Sequence, residues 1–457
     1  MVKHTQFLAM RLLMFAAAAA GSRAAAGKAE ARTMAGGVHA FFYLWYGEPS
    51  TDGGEYRHWN HEVLPHWTEA TQRRFPHGAG TRFRPPAYIH SPFFPARGPY
   101  SSRNGTVLRA QFKEMREHGI DVAVLSWWGR PTVRGTHDTQ GVSTDDAVPT
   151  VLDAASAAGL RIAFHLEPYA GRSAGSVRDD VAYVAHRYGS HPALLRAPPP
   201  PGRRPAGAAR ALPVYYVYDS YHIEERDWAA VLGPPGRRGG GGGQSHLTSV
   251  RGTEADGVFI GLWLERGHGE ALARAGFDGA YSYFASDGFS YGATSANWAA
   301  CAAAMRDKGL IFVPSVGPGY NDVRIRPWNA HNTKARRGTQ YYDDMWRAAL
   351  GGGVAPDTVS ITSYNEWGEG TQIEPAAPRA VTGDEHAAAV AQDGDVGADG
   401  KPVRYGEVLR KLGVGRHYLD YGPGGPRAFL ERTSHWAAQL RRLVDGGRGA
   451  RGRGELR

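Results

Sequence analysis

The sequence predicts a single (β/α)8 barrel. Short runs of β-branched and aromatic residues recur eight times along the chain, and most are separated by longer stretches with apolar residues at three-to-four spacing. A third observation narrows the class. An open doubly wound sheet announces itself by a glycine-rich turn after its first strand, and none follows the first run here.

The first expected strand covers 38–46. An amphipathic helix at 107–118 then leads into a strand at 121–127, and a helix at 148–158 into one at 160–165. Helices at 177–188 and 223–232 flank a strand at 213–218. Strands at 258–264 and 279–284 follow, then a helix at 295–308, a strand at 310–316, a helix at 341–350 and a last strand at 359–363. A final helix at 426–444 places Phe429, Trp436, Leu440 and Leu443 near one face, which predicts packing on the barrel. The domain organisation expected is a leader and linker at 1–36, the barrel at 37–444 and a disordered basic tail at 445–457. Three stretches without core periodicity read as mobile surface insertions: the Pro- and Arg-rich 197–211, 233–256 with its five-glycine run, and the Ala-, Gly- and Asp-rich 385–401.

The 457-residue chain carries a net charge of +9. Much of the excess arginine lies in the low-complexity stretches and the tail, at Arg203, Arg204, Arg237, Arg238, Arg448, Arg451, Arg453 and Arg457. Nucleic-acid binders carry a basic stripe on a folded face, so no nucleic-acid partner is expected, and the chain is expected to be a monomer. The lone Cys301 rules out an intrachain disulfide and a cysteine-rich zinc site. At the N-terminus, Lys3 and His4 precede an apolar run through Phe15 into five alanines. Its length suits a signal peptide and is short for a membrane span of about 20 residues. Secretory entry is the reading, with the segment either cleaved or kept as a membrane anchor. An Ala-rich transit peptide is the alternative. The sequon Asn104-Gly105-Thr106 is compatible with the secretory route.

The chemistry concentrates in Ser360-Ile361-Thr362-Ser363-Tyr364-Asn365-Glu366-Trp367-Gly368-Glu369-Gly370-Thr371-Gln372-Ile373-Glu374. An apolar strand ends there in carboxylates, an amide and glycines. Active sites of this barrel lie at the C-terminal ends of strands. Glu366 and Glu369, three residues apart on a tight turn, can face one pocket and supply the carboxylate pair of a glycosidase. His58-x-x-His61 and His165-x-Glu167 raise a metal-site alternative, although neither spacing belongs to a recognised zinc motif.

The same segment resembles the signature of glycoside hydrolase family 99, the endo-α-1,2-mannosidases. The resemblance runs through Phe42-Tyr43-Leu44-Trp45-Tyr46-Gly47, His58-Trp59-Asn60-His61, Leu125-Ser126-Trp127, Phe164-His165-Leu166-Glu167-Pro168-Tyr169, Tyr216-Val217-Tyr218-Asp219-Ser220-Tyr221, Tyr283-Phe284-Ala285 and Arg326-Pro327-Trp328-Asn329. It implies a (β/α)8 barrel and a retaining, endo-acting hydrolase of mannose glycans that needs no metal or cofactor. It also implies the Golgi route of the animal members, which release glucosylated mannose from N-glycans. The position matching Glu366 then deprotonates the mannose 2-hydroxyl to close a 1,2-anhydro sugar. The position matching Glu369 protonates the leaving oxygen and later activates water. Glycan-binding positions implied are Tyr46, His61, Trp127, Trp128, His165, Glu167, Tyr218, Asp219, Tyr283, Tyr320 and Asn365. One departure stands inside the motif: many members carry His where this chain has Gly368. Two other readings stay open, a catalytically silent carbohydrate-binding barrel and an enzyme acting on a polysaccharide mannan.

Overall fold

The computed structural model describes residues 36–75, 79–203, 210–235, 248–382 and 417–454. Its sheet contains strands β1 (Gly37–Phe42), β2 (Val122–Trp127), β3 (Arg161–Leu166), β4 (Arg196–Ala197) and β5 (Leu212–Val217). It continues with β6 (Val258–Leu262), β7 (Gly279–Tyr281), β8 (Ile311–Val313), β9 (Ser315–Val316) and β10 (Thr358–Ile361). The order is β8-β7-β6-β5-β3-β2-β1-β10-β9, every neighbour parallel, with only the short β4 antiparallel on β5. Pro314 alone separates β8 from β9, and it has no amide hydrogen to give. Since β8 pairs with β7 and β9 with β10, this one interrupted stave joins the two ends of the sheet. The result is the eight-stave barrel that the alternation predicts.

The staves are buried on both faces, which is why their sequences are continuous apolar runs rather than alternating ones. Aromatic rings fill the interior. Phe41 lies 4.6 Å from His165 and 5.0 Å from Tyr283, and Tyr216 lies 5.2 Å from Tyr281. The run at 38–46 overshoots its strand by four residues. Those residues leave the ladder at the C-terminal mouth and carry Tyr43 and Tyr46 into the loop layer. One helix, His268–Ala275, lacked a sequence signal: it is eight residues long and contains Gly269. The sequon residue Asn104 caps the helix Gly105–Glu117 by accepting from the amides of Thr106 and Val107.

The last helix is Ala428–Gly454, so the boundary drawn at 444 falls inside it. Apolar periodicity marks the packed face and stops there; the helical backbone runs on. Phe429, Trp436 and Leu440 are buried as expected, but Leu443 is exposed.

The insertions need correction where they are described. In 197–211, Arg203 donates to the Gly257 carbonyl and to Asp278. In 233–256, Arg251 is buried and bonds the carbonyls of Leu232, Gly257 and Gly276 and the carboxylates of Asp256 and Asp278. These flanks are fixed parts of the barrel wall, not mobile surface. The leader and 385–401 lie outside the described residues. Among the described residues, no helix is long and apolar enough to cross a membrane.

Candidate active site

Beyond β10 the chain folds back on itself. Ser363 donates its amide to the Thr371 carbonyl, Ile373 returns one to Ser363, and Glu374 donates to Tyr364. The Tyr46 hydroxyl donates to the Asn365 carbonyl and accepts from the Trp367 amide, and the Asn365 side chain bonds both the N–H and the carbonyl of Tyr43. Glu374, the last carboxylate of the segment, is buried and accepts from Gln111, Tyr100 and Trp367. Burial pushes its carboxyl up to about 7. The loop bearing Glu366 and Glu369 is therefore braced on both sides by polar residues that never leave the core.

Glu366 is buried. Its two carboxylate oxygens accept from the amides of Gly368 (3.1 Å) and Glu369 (3.3 Å), and its own amide donates to the Ser363 hydroxyl. Glu369 is partly exposed and accepts from Arg326 at 3.1 Å, while Arg326 also holds Asp322 at 3.2 Å. Burial raises both carboxyls above their ordinary value. The charge of Glu369 pushes Glu366 further up, whereas Arg326 pulls against the rise at Glu369.

A cavity of about 850 Å³ opens over Glu369, with Tyr283, Tyr320, Arg326 and Trp328 among its walls. A second, of about 520 Å³, lies at the other end of the barrel around His39, Tyr216, Pro199 and Val444. It offers one carboxylate, Asp357, and mostly aliphatic walls, which is not a pair for acid–base work.

Several expected pocket residues do gather at the mouth. Burial raises the phenols of Tyr43, Tyr218, Tyr283 and Tyr320, and the charge of Glu369 adds to each. Tyr43 and Tyr283 are bonded to each other through their hydroxyls. Glu167 is buried and bonds His165 at 2.8 Å, and the other ring nitrogen of His165 bonds Tyr281 at 2.7 Å. Asp219 follows Tyr218 in a left-handed conformation (φ 45°), with burial raising its carboxyl. His61 is buried, bonds the Glu62 carbonyl and is pulled down to about 3 by burial, so it is a neutral imidazole. Trp128 is half-buried and gives its amide to Thr144. His58 is bonded to Asp138, and among the described residues no three His, Cys, Asp or Glu side chains converge as a metal site.

Three expected glycan-binding residues are corrected by these contacts. Trp127 points outward from the end of its strand, fully buried, with its indole N–H on Asp145 at 2.8 Å and its ring beside Tyr183. Tyr46 and Asn365 are wholly buried and spend their polar atoms on the loop brace.

The family model described as glycosyl hydrolase family 99 matches residues 33–388. The chain belongs to that family. This glycoside hydrolase is 41% identical over 400 residues to a human glycoprotein endo-alpha-1,2-mannosidase-like protein, which covers 88% of this chain and 75% of the relative. It is 42% identical over 400 residues to a glycoprotein endo-alpha-1,2-mannosidase of Xenopus laevis, covering 88% and 76%. In structure it is similar to the GH99 endo-alpha-mannosidase from Bacteroides thetaiotaomicron, with a TM-score of 0.68, 31% identity, and coverage of 89% of this chain and 98% of that one.

The sequence pointed past two features of this family 99 hydrolase. Arg326 lies in the Arg326-Pro327-Trp328-Asn329 run, and nothing in the sequence links it to a carboxylate 43 positions away. His90 was missed entirely. A Cβ placed on Gly368 would sit 2.9–3.0 Å from the His90 ring and 3.2 Å from a Glu366 oxygen. The room that a histidine at 368 would need is thus taken by a buried histidine from another loop, kept neutral chiefly by burial and next by His61 and His58.

Proposed function

We propose that the protein is a retaining, endo-acting glycosidase that cuts α-1,2-mannosidic bonds in N-glycan-type or mannan oligosaccharides. The observation that carries this is a pair of raised carboxylates, Glu366 buried and Glu369 opening on the cavity, at the C-terminal mouth of the barrel in a chain of family 99. Glu366 accepts the proton of the mannose 2-hydroxyl while O2 displaces the leaving oxygen at C1, closing a 1,2-anhydro ring. Glu369 gives its proton to that oxygen. Water then loses a proton to Glu369 and attacks C1, the C1–O2 bond opens, and O2 recovers its proton from Glu366. Two inversions give net retention. In an α-mannoside the axial O2 lies opposite the leaving group, so the nucleophile arrives already positioned. The apolar run near the N-terminus and the relatives' names as glycoprotein mannosidases support a place in the secretory pathway, and the family resemblance implies the Golgi as the compartment. Mass analysis of products from glucosylated high-mannose glycans tests the proposal. A released glucosyl-mannose disaccharide is expected; monosaccharide, or no product, would overturn it.

The reaction needs Glu366 ionised and Glu369 protonated. In the unliganded pair burial raises both carboxyls, and the charge of Glu369 adds to the rise at Glu366. A bound 2-hydroxyl donating to Glu366 favours its ionised form and shifts the proton to Glu369. The pair titrates as one unit, and the pH–rate profile is a bell lying above the ordinary carboxylate range. Arg326 favours the ionised form of both groups, so Arg326→Met raises both apparent pKa values and moves the bell to higher pH. An unmoved profile in the folded variant would remove Arg326 from the tuning of the pair.

Trp128 is read as the wall beside the sugar on the non-reducing side of the cleaved mannose. Its ring offers an apolar face, whereas tyrosine adds a hydroxyl that can bond an equatorial 2-hydroxyl of glucose. One partly exposed hydrogen bond contributes about 0.5–1.5 kcal/mol. Trp128→Tyr is expected to shift relative kcat/KM several-fold towards glucosyl-mannose over mannosyl-mannose donors. An unchanged ratio with kcat intact would take Trp128 out of the specificity argument.

A further inference from the structure

Trp67 is the most exposed large apolar side chain among the described residues, with 79% of its surface open. Single exposed aromatics are common, but this one is propped in place. His66 stacks on it at 4.0 Å and Trp328 meets it edge-on at 4.9 Å. The loop beneath is tied down, since Leu64 donates to the Ile325 carbonyl and accepts from the Trp328 indole N–H. Phe289, 47% exposed, packs on Phe284 at 4.7 Å. Trp67 and Phe289 both line the 850 Å³ cavity whose walls include Glu369 but not Glu366. Polar groups of Ser286, Asn329 and Asn332 lie among the same walls. Fixed aromatic faces with amide and hydroxyl groups between them suit a sugar, which has apolar faces and a polar edge.

We propose that Trp67 and Phe289 form a distal platform for the reducing-side arm of the glycan, binding mannose residues beyond the one next to the cut. This rests on the roles given above: the group that protonates the leaving oxygen marks the side on which the leaving sugars lie, and Glu369, not Glu366, borders this cavity. The enzyme therefore reads its substrate on both sides of the bond, and a long mannose oligosaccharide binds better than a short one.

The test compares a high-mannose glycan with a glycosyl-mannosyl fluoride, which has no sugar on the leaving side. Trp67→Ala and Phe289→Ala are each expected to raise KM for the glycan roughly three- to tenfold, the factor an aromatic contact supplies, with kcat kept. Turnover of the fluoride stays at the wild-type level, and Trp67→Phe restores most of the loss. No change on the glycan, or an equal change on both substrates, would overturn the platform. Should the wild type cleave neither substrate, the functional reading fails, and calorimetric titration with the core high-mannose oligosaccharide decides the platform alone. Binding by the wild type that Trp67→Ala weakens by that same three- to tenfold factor upholds it; absent or unaltered binding overturns it.

Discussion

Replacing Glu366 or Glu369 with glutamine is expected to lower turnover on a natural glycan by at least 10²–10⁴-fold, roughly what a positioned acid or base contributes. The two variants should differ in kind. Glutamine at 369 keeps a carbonyl oxygen to accept from Arg326, so the local structure survives and only proton transfer is lost. On a fluoride donor, whose leaving group needs no proton, the Glu369→Gln deficit shrinks. Glutamine at 366 meets two backbone amides, and its own amide must face one of them donor to donor. Glu366→Gln therefore loses one loop contact as well as the base, and its deficit is the same on the fluoride as on the glycan. Turnover near wild type in either folded variant on the glycan would strip that residue of its role. A Glu369→Gln deficit equal on both donors would argue against an acid at this position.

The barrel was legible because its staves are buried on both faces and its helices on one, which writes two distinct periods into the chain. What the sequence lacked was direction. Trp127 and Trp128 are equivalent on paper, yet a strand turns successive side chains to opposite sides, so one enters the core beside Asp145 and Tyr183. Tyr46 and Asn365 belong to the motif and were read as touching sugar. A loop that must hold two catalytic carboxylates at the barrel mouth also needs buried polar braces, and motif membership does not separate the two uses. Arg326 and His90 reach the pair from distant segments, a proximity that only the closed ring creates. The reading of 233–256 failed for another reason. Composition averages over a stretch, and Arg251 and Asp256 vanish into the glycines that precede them.

Arg251→Ala is expected to destabilise the fold by about 3–5 kcal/mol, as breaking a buried ion pair from one side does. Arg251 is 8% exposed, and its guanidinium bonds three carbonyls and two carboxylates. Among the described residues, its removal leaves Arg203 as the only cation bonded to Asp278, whose carboxylate also accepts from the Phe259 amide. Burial pushes Asp278 up to about 7 against the pull of Arg203. A carboxyl raised in the folded state holds a proton there that the unfolded chain has released, so its contribution is present at low pH and lost as pH rises through the folded pKa. Without Arg251 that pKa rises further. The deficit should then be smaller at pH 5, where Asp278 is protonated in both proteins, than at pH 8, where the variant must bury an anion with one cation fewer or bind a proton. Deleting only 236–247 removes none of these contacts and should leave stability unchanged. Equilibrium unfolding in denaturant at both pH values measures each effect. An unaltered midpoint for Arg251→Ala would mean that the flank of the glycine run contributes nothing to the barrel wall.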